Sequence, residues 1–74
     1  MRARNMEELI QKKFDMLNEN DLQIWAYIVR HKEQCKQISI QQLAVFCHVS
    51  HTTILRFAKK LGFSGYSEMR SFLK

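Results

Sequence analysis

The chain has 74 residues, 46% of them hydrophobic, and carries 12 Lys and Arg against 7 Asp and Glu, a net charge of +5. This is one domain's worth of chain, small enough to hide only about 60% of its unfolded surface, and its basic balance points toward a polyanionic partner. No apolar run nears the ~20 residues that cross a bilayer, the start MRARNMEELIQKK lacks the apolar core of a secretion signal, and two cysteines without such a signal are expected as reduced thiols in a cytoplasmic protein.

Caps and apolar stripes divide the chain. Asn5, with Glu8 three residues on, opens a first helix over 6–17 whose stripe is Met6, Leu9, Ile10, Phe14 and Leu17. Asn20 with Gln23 repeats the pattern before a second helix over 21–32. There Leu22, Trp25, Ala26 and Val29, with Ile24 and Ile28 beside them, give the wide apolar face of a central bundle helix. The segments 18–20 and 33–38 read as connections. Ser39 with Gln42 then forms a capping-box pattern, and Leu43, Ala44 and Cys47 line one face of a short helix. Val49 falls in a turn and Ser50 stands at the N-cap of the next helix. Ile54, Phe57, Ala58 and Leu61 form its inner face. Gly62 is placed to end it with φ > 0, and Phe63 to pack back. Ser64 is expected to cap a last helix over 65–73, with Tyr66, Met69 and Leu73 pointing inward. No alternating β-branched run suggests a wing. The expected architecture is all-α, a five-helix homeodomain-like helix-turn-helix bundle without a β-wing.

The stretch IQQLAVFCHVSHTTILRFAKKL over 40–61 is the informative one. Two helices that cross steeply need a small residue at their closest approach, and Ala44 supplies it. At about 100° per residue, with Thr52 at zero, Ile54, Phe57, Ala58 and Leu61 fall at about 200°, 140°, 240° and 180°. Arg56 and Lys59 fall at about 40° and −20°, with Thr53 and Lys60 flanking at about 100° and 80°. An apolar stripe opposite a hydroxyl-and-cation stripe suits a helix lying in a DNA major groove. Charge agrees: from Ser50 onward five bases (Arg56, Lys59, Lys60, Arg70, Lys74) face one acid, Glu68, whereas residues 1–20 balance, with Arg2 among their bases. In the expected recognition helix over 50–61, Ser50 fixes the start, Thr52, Thr53 and Arg56 make the main approach to the groove, and His51 lies at its margin. Arginine suits bidentate contact with guanine, and threonine a base edge or thymine methyl. Lys59 and Lys60 are expected on phosphates, which position without specifying. Ser39, Gln41, Gln42 and Tyr66 are further phosphate candidates, against capping for Ser39 and packing for Tyr66.

Other classes fit less well. A protein-interaction module, the alternative, would use exposed apolar anchors such as Leu55 or Phe46 and bind with little dependence on salt. An enzyme is not expected, since there is no phosphate-cradling glycine loop and no recognisable catalytic set. No metal site is expected either. His31, Cys35, Cys47, His48 and His51 lack the tight spacing of zinc ligands.

The run SIQQLAVFCHVSHTTILRFAKKLGFSGYSEMRSFLK resembles the N-terminal DNA-binding domain of the RpiR family of bacterial transcriptional regulators. Ser39, Ile40, Leu43, Ala44, Val49, Ser50, Thr53, Ile54, Arg56, Phe57, Lys60, Leu61, Gly62, Phe63, Gly65, Tyr66 and Glu68 carry the match. Its specific part is the LGFSGY continuation, and with 17–28 upstream it covers nearly the whole chain. The resemblance implies a dimeric regulator of sugar or amino-sugar metabolism. In that family this domain precedes a sugar-isomerase-type domain that binds a phosphosugar effector. The 74 residues are then a DNA-binding fragment with no cofactor of its own. One position departs from the family: His48 stands in the turn where Gly is common. If the turn needs φ > 0, His48 costs some stability.

Overall fold

The computed structural model of the protein describes residues 4–73. Six α-helices follow one another: α1 (Met6–Lys12), α2 (Glu19–Arg30), α3 (Lys32–Cys35), α4 (Ile40–Cys47), α5 (His51–Lys60) and α6 (Tyr66–Phe72), with a 3-10 turn at Phe14–Met16. No strand occurs among the described residues, so the class is all-α as expected, with six helices rather than five. Arg2 and Lys74, counted in the charge balance, lie outside the described residues.

The first helix starts as its cap predicts, with the Glu8 N–H donating to Asn5 Oδ1 at 2.9 Å. It ends at Lys12, well short of residue 17. The 3-10 turn that follows winds more tightly than an α-helix, so the 3.6-residue stripe is broken there. Met6 and Ile10 reach the core, Leu9 and Leu17 pack partly against it, and Phe14 is turned out with 54% of its surface exposed.

α2 begins earlier than expected because Asn18, not Asn20, is its cap. The Asp21 N–H donates to Asn18 Oδ1 at 2.9 Å and the Asn18 N–H donates to Asp21 Oδ2 at 3.0 Å. A carboxylate is a stronger acceptor for that second bond than the Gln23 amide would be. The helix is also rotated relative to the expected stripe: Asp21, Ile24 and Ile28 are buried, while Val29 and Ala26 are exposed. The chain leaves the helix at His31, and the segment expected as a plain connection holds one more turn, α3, which seats Cys35 in the core.

The hairpin follows its sequence pattern closely. Leu43, Ala44, Cys47, Ile54, Phe57, Ala58 and Leu61 are all buried. α5 packs against α4, α2 and α6, so the last two elements act as a frame around it. α6 departs at its start, where Gly65 is the N-cap and makes no side-chain bond. Ser64 instead donates its backbone N–H to Glu68 Oε1 at 2.9 Å, so the carboxylate rather than the serine hydroxyl organises the turn. Tyr66 and Met69 are buried, with Phe72 and Leu73 partly so, and the Phe63 ring meets Phe72 at 5.3 Å.

Candidate nucleic-acid interface

The entry to α5 is built from short-range hydrogen bonds. Ser39 and Gln42 close the capping box of α4, the Gln42 N–H donating to Ser39 Oγ at 3.2 Å and the Ser39 N–H to Gln42 Oε1 at 2.9 Å. At the other end of α4, His48 adopts φ 59° and ψ 40°. The Val49 N–H then reaches the Ala44 carbonyl at 3.0 Å and the His48 N–H reaches Val45 at 3.2 Å. This bond pair is a Schellman motif, which reverses the chain with its left-handed residue at His48. Two residues later Ser50 caps α5, accepting the Thr53 N–H at 3.2 Å.

The outer face that results is narrower than the sequence suggests. His51, Thr52, Arg56 and Lys59 are exposed on it, and none of the four forms an ion pair among the described residues. Thr53 is half-buried, with its hydroxyl 2.9 Å from that of Ser50. Gln41 is exposed at the start of α4, while Ser39 and Gln42 are engaged in their cap. Lys60 turns away from its neighbour Lys59: its Nζ donates to Asp21 Oδ2 at 2.6 Å. Asp21 is only 2% exposed, so the Lys60 charge is spent on an internal carboxylate. Tyr66 is also directed inward. Its hydroxyl donates to the Ile38 carbonyl at 2.9 Å, and burial, with a smaller contribution from Cys35, pushes the phenol up to about 12.

Two contributors escaped the sequence pattern. Arg70 donates from Nη1 to the same Ile38 carbonyl at 3.2 Å, with its guanidinium 5.8 Å from the Tyr66 ring centre. Ile38 precedes the Ser39 cap, so α6 clamps the point where the chain enters α4. Asp21 is the other, and its sequence signal was the acid three residues after an asparagine. Cys35 and Cys47 are buried thiols, and burial, with a smaller contribution from Cys47, pushes Cys35 up to about 11, away from the reactive thiolate form. Elsewhere on α4, Val45 is 69% exposed beside Phe46, whose ring stacks on Tyr27 at 5.8 Å.

A hairpin with a capped second helix and an exposed row of hydroxyls and cations has counterparts among known proteins. Residues 4–74 match the family described as the helix-turn-helix domain of the rpiR family. The chain belongs to that family. It is similar to the HTH-type transcriptional regulator GlvR of Bacillus subtilis, 54% identical over 69 residues that make up 93% of this chain and 27% of that protein. It is also similar to the HTH-type transcriptional regulator HexR of Pseudomonas aeruginosa, 34% identical over 67 residues, 90% of this chain and 24% of the relative. The chain thus spans about a quarter of the length of these relatives. No solved structure matches it.

Proposed function

We propose that this rpiR-family domain binds double-stranded DNA sequence-specifically, with α5 in the major groove, as the DNA-reading portion of a longer bacterial transcriptional regulator. The observation that carries the reading is the exposed row of Thr52, Arg56 and Lys59 directly after a capped helix start. Side chains near the N-terminus of such a helix are the ones that reach base edges. Arg56 is assigned to a guanine, Thr52 to a base edge, and Lys59, with Gln41, to the phosphate backbone. One domain offers one half-site, so tight binding rests on a homodimer formed by the full-length protein. The relatives named as transcriptional regulators support a non-enzymatic role, and a bacterial regulator that binds DNA would work in the cytoplasm. The family resemblance adds sugar or amino-sugar metabolism as the regulated pathway, with a phosphosugar effector on a further domain.

Selection from random duplexes, followed by titrations of the selected site against unrelated ones, tests this. Arg56→Ala should cost about 1–3 kcal/mol on the selected site and little on the others. Lys59→Ala should weaken all duplexes alike and lower the salt slope by about 0.9. Equal behaviour of the two variants overturns the division of roles. The exposed Val45 and Phe46 favour one other reading, a protein-docking module, and binding to any selected partner that ignores salt would support it over DNA.

A further inference from the structure

Leu55 is the one apolar residue of α5 that the core does not use. Ile54, Phe57 and Ala58 are buried, and the partly buried hydrophobic residues that pack against the core include Val49 and Phe63 on either side of the helix but not Leu55. At about 100° per residue, Leu55 lies about 60° from Thr52 and about 40° from Lys59. It therefore borders the exposed row on the flank opposite Lys60. It is neither fully exposed nor enclosed, and its side chain lies within one helical turn of Thr52, Arg56 and Lys59.

An apolar side chain among hydroxyls and cations adds nothing to phosphate binding. On a helix in the major groove it meets base edges, and the one apolar group presented there is the C5-methyl of thymine. We infer that Leu55 is a specificity-determining residue that packs against a thymine methyl, one base step from the position read by Arg56 or Thr52. This rests on the DNA-binding reading above and adds to it a base identity read without hydrogen bonds. Leu55 would thus fix a T·A pair where Arg56 fixes a guanine, and the two contacts would fail differently. The arginine contact is electrostatic and directional, whereas the leucine contact depends on methyl burial.

Single thymines in the selected duplex are replaced by deoxyuridine, which removes only the methyl group, and binding to the full-length protein is measured for wild type and Leu55→Ala. At one position the wild type should lose roughly fourfold in affinity, the free energy of burying one methyl-sized group, while Leu55→Ala binds both duplexes equally. Wild-type indifference to every such replacement overturns the inference, as does an equal loss by wild type and variant, which would give the methyl to Thr52. A selected site with no thymine under α5 overturns it as well. Failure to select any duplex is a different result, because it removes the DNA-binding reading itself. An unchanged melting temperature for Leu55→Ala keeps folding out of the comparison.

Discussion

At its N-terminus α5 is held by bonds between near neighbours, Thr53 to Ser50 and Val49 to Ala44, whereas at its C-terminus Lys60 reaches Asp21 on α2, 39 positions away. Both ends are flanked by Schellman turns. One is built on His48; the other is built on Gly62, where the Phe63 N–H reaches the Ala58 carbonyl at 3.0 Å and the Gly62 N–H reaches Lys59 at 3.0 Å. The difference teaches how a small domain separates recognition from anchorage. The N-terminal end, proposed above to face the groove, is set by local geometry and leaves its side chains available. The far end keeps a local turn at Gly62 and adds a tertiary pairing, which engages one of its two lysines.

Removing the anchor should produce the largest effect. Lys60→Met leaves the Asp21 carboxylate buried with only the Asn18 N–H to satisfy it, and should cost about 3 kcal/mol in urea unfolding. Asp21→Asn should cost less, because the amide oxygen still accepts from Asn18 and the half-buried ammonium can turn to water. A loss under about 1 kcal/mol for Lys60→Met would mean that the pair behaves like a surface one. The contrast with Lys59 is then read in DNA titrations: Lys59→Ala lowers the salt slope, and Lys60→Met leaves it unchanged.

The second effect compares the two turns directly. Gly62 has φ 96°, outside the range that side-chain-bearing residues favour, yet an added Cβ would meet nothing within 4 Å. Gly62→Ala therefore isolates backbone strain from crowding and should cost about 1–2 kcal/mol. A variant as stable as the wild type would show that the Ala58 to Phe63 bond can form without the positive φ.

These two ends also differ in how far the sequence revealed them. Ser39 with Gln42, Ser50 and Gly62 are local signals, since each acts on bonds within a few residues, and each stands where its pattern placed it. The inner faces of α4 and α5 were legible for a related reason: the hydrophobic period is undisturbed between two good caps. Asp21 was not legible, because an acid on a helix face reads as solvated until a partner from another part of the chain is known. It shares the buried face of α2 with Ile24 and Ile28, while Val29, expected on that face, is exposed. The hydrogen-bond partner of Tyr66, though not its inward direction, was hidden in the same way, as was that of Arg70, because both act on the Ile38 carbonyl across a long stretch of chain. Phe14 was misplaced for a local reason that leaves no mark in composition, a change from α to 3-10 winding without glycine or proline. The outer row of α5 was read from its period, but Lys60 leaves it for the Asp21 carboxylate.

The smallest effect is expected at His48, and its sign is opposite. With φ 59° and ψ 40°, His48 sits close to the left-handed helical minimum, the best place that a side-chain-bearing residue can find at positive φ. Gly62 lies farther out, so the two turns ask for different amounts of glycine character. His48→Gly removes a conformational cost of roughly 1 kcal/mol but loosens the unfolded chain by about half as much. The net gain should be about 0.5 kcal/mol, which raises the melting temperature by about 2–4 °C in a domain of this size. His48→Val should lower it, since a β-branched residue tolerates this region poorly. An unchanged or lowered value for His48→Gly would mean that the imidazole makes compensating contacts in the turn. DNA affinity should not follow stability here. The imidazole is exposed and glycine keeps the same backbone geometry, so the start of α5 keeps its position in a slightly more stable domain.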